Sequence, residues 1–243
     1  MFDTVIYEKR EGVAHLILNR PRVINAYNMQ MRDDLYQLLE AVRDDPEVGA
    51  VILRGAGERG FCAGADLTEF GSAPSQAIAR QVRWERDVWG LFLSTSKPLI
   101  AALHGFVLGS GVEMALLCDI RIASEDAIFG MPEVALGMIP AAGGTQTLPR
   151  AVGSAHALDV LLTNRRLNAQ ESLNLGLVNK VVARERLLRE VGSIATYLSH
   201  QHSDALASAK EAVNIGMDLS LDEALKLEEH LALKLLYKRR TVQ

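Results

Sequence analysis

Two periods of apolar residues alternate along this chain, and their order sketches its architecture. Residues 4–8 and 13–18 are short strand-type runs separated by Arg10-Glu11-Gly12, which predicts a β-hairpin. Asn19-Arg20-Pro21-Arg22 breaks the second run. Over 28–42, Met31, Leu35, Leu38, Leu39 and Val42 recur at helical spacing behind Asn28, a fitting N-cap, and Pro46 stops the helix. A buried strand follows at 50–53, a glycine-rich loop at 55–71 and a helix at 76–93. The apolar run 99–103 predicts the next strand, followed by Gly105, Gly109 and Gly111, an apolar helix to Cys118 and a strand at 120–123. Beyond Gly143 the helical period dominates, with helices near 145–152, 155–162, 169–175, 184–198, 203–216 and 221–238. Strands thus alternate with helices to about residue 183, and the remainder is helical.

The stretch 100–144 organises the rest. It places one acid, Glu113, directly after the glycine run and a second, Glu133, in the turn Gly130-Met131-Pro132-Glu133. Both lie in mainly apolar surroundings, where a carboxylate is costly without a task or a partner.

Bulk properties narrow the possibilities. A hydrophobic fraction of 49% supports a sizeable core, while a net charge of −4 and a pI near 5.9 give no footing for nucleic-acid or membrane-surface binding. Two cysteines, Cys62 and Cys118, supply neither a disulfide framework nor a four-ligand zinc site, so a reducing cytoplasm is the expected location. The start carries no signal-peptide pattern, and no apolar run approaches the roughly 20 residues that span a bilayer. Gly109-Ser110-Gly111 lacks the G-x-G-x-x-G spacing of a dinucleotide fingerprint, and no metal-ligand cluster is visible.

An ordered set of short motifs resembles the crotonase superfamily, the enoyl-CoA hydratase/isomerase group. They are Leu18-Asn19-Arg20-Pro21 with Asn25-Ala26, Phe61 to Leu67, Lys97 to Ala102, Gly105 to Glu113, Cys118-Asp119-Ile120-Arg121, Phe129 to Glu133, Gly137 to Gln146, and Gly176-Leu177-Val178. Each alone is weak; the series, spread over nearly the whole chain, is specific. The resemblance implies an α/β fold, a spiral of ββα repeats over 1–186. A helical C-terminal region, 187–243, would build a homotrimer or a dimer of trimers. It implies a hydratase that adds water to a 2-enoyl-CoA thioester in fatty acid β-oxidation. No cofactor is implied beyond the coenzyme A of the substrate.

That chemistry has three needs: stabilising enolate charge on the thioester oxygen, activating water at Cβ, and protonating Cα. By the resemblance, Glu113 activates the water, Glu133 donates the proton, and the backbone N–H groups of Ala63 and Ser110 form the oxyanion hole. Substrate or CoA contacts are expected from Arg22, Ala26, Ala63, Gly64, Ala65, Asp66, Leu67, Gly109 and Ser110. Loops 71–76 and 136–142 would shape the acyl pocket. Many relatives carry three glycines where this chain has Gly109-Ser110-Gly111, so a positive φ at Ser110 would bring strain. Glu113 argues against an isomerase, which keeps only the second carboxylate; a decarboxylase and a cyclic dienoyl-CoA hydratase are the other rivals within the family. A non-catalytic RNA-binding relative would want a basic surface.

Other residues read as structural. Asp66 braces its loop, Asp119 is a buried structural acid, His104 a satisfied histidine, and Cys62 lacks a histidine partner. Arg80, Arg83 and Arg86 recur every three residues and could meet CoA phosphates, but Glu85 and Asp87 among them favour a solvated face.

Overall fold

The computed structural model describes residues 2–71 and 75–241. Strands β1 (Val5–Arg10) and β2 (Val13–Leu18) form the antiparallel hairpin, turned through Glu11 and Gly12, whose φ angles are +50° and +74°. Helix α1 (Met29–Asp44) starts where Asn28 Oδ1 accepts the Met31 N–H at 3.0 Å. Strand β3 (Ala50–Gly55) matches its expectation, but a three-residue strand, β4 (Gly60–Cys62), lies inside the segment read as loop. The single helix expected over 76–93 is two, α2 (Gln76–Glu85) and α3 (Val88–Ser94). Asp87 interrupts them and caps the second, accepting the Gly90 N–H at 3.0 Å.

Then come β5 (Leu99–Leu103), β6 (Phe106–Leu108), α4 (Ser110–Leu116), β7 (Ile120–Ser124), β8 (Ile128–Gly130), α5 (Gly144–Val152) and α6 (Ser154–Thr163). The chain ends with β9 (Leu167–Asn168), α7 (Ala169–Asn174), β10 (Lys180–Val182), α8 (Leu187–Ser199), α9 (Ser203–Gly216) and α10 (Leu221–Thr241).

The strands form two sheets, a larger one ordered β1-β2-β3-β5-β7-β10 and a smaller one ordered β4-β6-β8-β9. From β2 to β10 the larger sheet is parallel, and β4, β6 and β8 are parallel in the smaller. Each turn of chain lays one strand in each sheet and returns through helix: β3-β4-α2/α3, β5-β6-α4, β7-β8-α5. This is the expected spiral of ββα units.

A parallel sheet covered on both faces needs apolar residues on both. Leu16, Val51, Leu53, Ala101 and Leu103 face the main core with α1, α4 and the smaller sheet. Val13, Ile52, Ile100 and Ile122 face outward onto Leu187, Val191 and Ala195 of α8. Helix α8 therefore seals the core. The following helix, α9, has no buried residues. Helix α9 is tied down by Lys210 Nζ, 2.8 Å from Asp119 Oδ2, and packs on α10.

One buried side chain fastens the second spiral turn to the first. Asn25, fully buried with φ +55°, donates Nδ2 to the carbonyls of Ala56, Gly60 and Phe61 at 3.0, 3.1 and 3.0 Å and accepts the Arg20 N–H at 2.9 Å.

Candidate active site

Gly109 turns the chain from β6 into α4 with φ +50° and ψ −120°, a conformation open to glycine and strained for other residues. The positive φ falls on Gly109 and not on Ser110, which is simply the first residue of α4, so the serine carries none of the strain considered above. At the start of a helix the first N–H groups have no intrahelical acceptor, and the Ser110 N–H has no partner among the described residues.

Glu113, one turn into α4, is 2% exposed. Its Oε1 accepts the N–H groups of Ala142 and Gly144, each at 2.9 Å. A Cβ at Gly144 would stand 3.0 Å from that oxygen and 2.6 Å from Met131 Cε, so glycine lets the backbone close over the carboxylate. Two backbone donors on one oxygen are charge-assisted hydrogen bonds that favour the ionised form.

Glu133 opens a 3-10 turn, Val134–Leu136, and its carbonyl accepts the Leu136 and Met138 N–H groups at 3.0 and 2.9 Å. Its carboxyl is in a different state. Oε2 is buried without a hydrogen-bond partner among the described residues. Burial pushes its pKa above the ordinary carboxyl value, and the charge of Glu113 adds to the rise. Gly109 makes its position possible, since a Cβ there would lie 2.7 Å from Glu133 Oε1.

The expected role of Ala63 needs correcting. Its N–H donates to the Ile24 carbonyl at 2.8 Å and is not available to a ligand. Two residues on, a parallel bridge pairs Ala65 with Tyr27: Tyr27 N–H donates to Gly64 O and Asp66 N–H to Tyr27 O, each at 2.8 Å. That bridge turns the Ala65 N–H away from the Tyr27 backbone, and it has no acceptor among the described residues.

A cavity of about 650 Å³ gathers these groups. Of the residues singled out from sequence, Ala63, Gly64, Ala65, Leu67, Gly109, Ser110, Glu113 and Glu133 line it. Arg22, Ala26 and Asp66 do not. Arg22 lies in the exposed 3-10 turn Pro21–Val23, and the Ala26 carbonyl is taken by Arg20 Nη1 at 2.6 Å. Asp66 is a brace: Oδ1 accepts the Thr68 hydroxyl at 2.6 Å and Oδ2 pairs with Arg20 at 2.9 Å. The wall expected from 136–142 is present in Leu136, Met138, Ile139, Ala141 and Ala142. Residues 72–74 of the other expected loop, and the side chains of Arg80 and Arg83, lie outside the described residues.

The sequence reading missed Tyr27, Arg32, Trp89 and Phe70, which line the cavity; Arg86, read as part of a solvated face, is exposed as that reading expects and also lines the cavity. A faint signal existed. Tyr27 precedes the N-cap and Arg32 is the fourth residue of α1, where two apolar residues usually pack as a staple. An arginine there points to a polar demand.

The structural assignments hold by geometry. His104, 5% exposed, places Nε2 3.0 Å from the Gly57 carbonyl, and Asp119 Oδ2 accepts the Leu99 N–H at 2.7 Å. Burial pushes the thiols of Cys62 and Cys118 up to about 12, which leaves both inert as nucleophiles near neutrality. Among the described residues no group of three or more His, Cys, Asp or Glu side chains is placed to hold a metal, and no helix is long and apolar enough to cross a membrane.

Comparison with known proteins completes the picture. Residues 8–241 match the family model described as enoyl-CoA hydratase/isomerase. The chain is 40% identical over 227 residues to a crotonyl-CoA hydratase of Syntrophomonas wolfei, covering 93% of this chain and 87% of that protein. It is also 40% identical over 226 residues to a short-chain-enoyl-CoA hydratase of Clostridium acetobutylicum, with the same coverage of 93% and 87%. The crystal structure of an enoyl-CoA hydratase from Bacillus anthracis superposes with a TM-score of 0.91 at 34% identity, over 96% of this chain and 91% of that one.

Proposed function

The chain belongs to the enoyl-CoA hydratase/isomerase family, and we propose that it adds water across the double bond of a 2-enoyl-CoA thioester to give the 3-hydroxyacyl-CoA. The observation that carries this reading is the pair of unlike carboxyls in one cavity with free backbone donors: Glu113 pinned by two N–H groups, Glu133 buried with an unpartnered oxygen.

In this reading the thioester oxygen sits between the N–H groups of Ala65 and Ser110, Ala65 taking the place first expected of Ala63. Donors fixed by the fold meet the enolate charge without reorganising, which is where such sites gain most. Glu113, its Oε1 held by the Ala142 and Gly144 N–H groups, takes a proton from water as the water oxygen bonds to Cβ. Glu133, whose pKa burial raises, delivers a proton to Cα. Unlike environments that separate the pKa values of two carboxyls divide acid from base. The chain's own groups supply every proton transfer, so the reaction asks for no cofactor beyond the substrate's coenzyme A. The test is a panel of 2-enoyl-CoA thioesters followed by loss of the enoyl absorbance with chromatographic identification of the product. A shifted double bond or released carbon dioxide in place of the 3-hydroxyacyl-CoA would replace hydration by isomerase or decarboxylase chemistry.

The same reading extends to assembly and setting. Leu221, Leu225, Leu236 and Tyr237 of α10 and Val213 and Met217 at the end of α9 are exposed by 53% or more, an apolar surface that a trimer or a dimer of trimers would cover. Light scattering that returns a stable monomer at micromolar concentration would remove that part. Two buried thiols suit a reducing cytoplasm.

A further inference from the structure

The acid–base chemistry accounts for one wall of the catalytic cavity and leaves another unexplained. That second wall comes from α1 and the junction of α2 and α3, and it carries two guanidinium groups, Arg32 and Arg86. The Arg86 guanidinium carbon stands 5.1 Å from the centroid of Tyr36, and Arg32 precedes Tyr36 by four residues on the same helix, a neighbouring position on its surface. Arg32 is engaged, with Nε and Nη2 donating to Asp33 Oδ1 at 3.0 and 2.9 Å. Arg86 has no carboxylate or carbonyl partner among the described residues; the Tyr36 ring is what holds it. Stacking on an aromatic face orients a guanidinium without consuming its planar fork of N–H donors.

A path leads from the reacting centre to that fork. Ala65 is bridged to Tyr27, the Tyr27 ring lies 5.6 Å from that of Trp89, and Trp89 follows Arg86 by three residues. An extended acyl chain running along Tyr27 and Trp89 from the thioester would bring its far end to Arg86. We infer, resting on the hydratase reading above, that the acyl group this enzyme prefers ends in a carboxylate, which Arg86 receives bidentately. Such pairs combine charge with geometry. Arg86 is exposed to solvent, so a methyl-ended chain of equal length forgoes the ion pair and leaves the fork to water, and the preference between the two is that of an exposed charge pair. The phosphates of coenzyme A offer the same anionic chemistry, so the experiment must separate the two sources.

The full-length protein is assayed on matched pairs of 2-enoyl-CoA thioesters, one ending in methyl and the other in carboxylate, at several chain lengths. At the best-fitting length the carboxylate-ended member should be favoured in kcat/KM by about 2- to 5-fold, the range of a solvent-exposed ion pair. Arg86→Leu should collapse that ratio, and Arg86→Lys, which keeps the charge but loses the fork, should restore only part of it. A ratio unchanged by Arg86→Leu, or a wild-type preference for the methyl end at every length, overturns the inference. So does an equal loss on both substrates together with weaker inhibition by free coenzyme A, which would assign Arg86 to the carrier's phosphates. Hydration of both members without preference refutes this inference alone, whereas hydration of neither refutes the hydratase reading with it.

Discussion

Replacing Gly109 by alanine perturbs two things at once, and the structure gives a size for each. The backbone there has φ +50° and ψ −120°, so any side chain brings strain of about 1–3 kcal/mol. For a chain of this size that lowers Tm by about 2–12 °C. The new methyl would also stand 2.7 Å from Glu133 Oε1, well inside contact distance, so the carboxyl must shift. A displacement of about 1 Å at a reacting group costs about 10²-fold in rate, which is the expected fall in kcat. The assay is enoyl-CoA hydration at saturating substrate beside a thermal melt. The decisive arm is the double variant with Glu133→Gln. If Gly109 acts by seating Glu133, the double variant turns over barely more slowly than Glu133→Gln alone, because both remove the same function. A Gly109→Ala enzyme with wild-type kcat, or losses that multiply in the double variant, would refute the reasoning and point to the Ser110 N–H as the group disturbed.

Other substitutions test the site and the fold. Ser110→Pro deletes the N–H assigned to the oxyanion while occupying a first helical position that tolerates proline; kcat should drop about 10²–10³-fold with little change in the melt. Glu133→Gln should slow hydration about 10²–10⁴-fold and, in pH–rate profiles, erase the limb in which activity falls as pH rises through the raised Glu133 pKa. Stability tests the same group. A raised folded pKa contributes stability that is present below the ordinary value and lost as pH rises through the folded one, so Glu133→Gln should gain on wild type in denaturant midpoints near neutrality. Asn25→Ala strands three carbonyls that Asn25 now satisfies and should cost about 1–3 kcal/mol, read as a lowered midpoint at constant m-value.

How far the fold was legible depended on element length. The β1–β2 hairpin, α1, β3, β5 and β7 were readable because each carries enough apolar positions to declare a period. The strands β4, β6 and β8 span three residues each and sit among glycines, too short for any period, and pairing across distant turns of the spiral is what makes them strands. The break between α2 and α3 falls at Arg86-Asp87, where neither glycine nor proline stands; Asp87 as a cap is its mark. At the site, Glu113 and Glu133 could be placed by motif because their side chains carry the chemistry. The choice between Ala63 and Ala65 could not, since an oxyanion donor is a backbone group and its availability depends on whether a neighbour such as Ile24 claims it. Arg86 was discounted on local charge, and its role in the wall emerged only when α1 brought Tyr36 beneath it.

The suspension of Glu113 from the backbone of Ala142 and Gly144 has a bearing on how such an enzyme can diverge. Met138, Ile139, Ala141 and Ala142 belong to the same stretch and line the cavity. A lengthened or repacked segment there would re-aim the base along with the pocket, so substrate range and turnover are inherited together through it. Trp89 stands on α3, Arg86 at the junction of α2 and α3, and Tyr27 just before α1, and none of these elements carries either glutamate. New acyl preferences therefore have a route through those helices that leaves the proton-transfer geometry untouched, and directed evolution should find its gains there first.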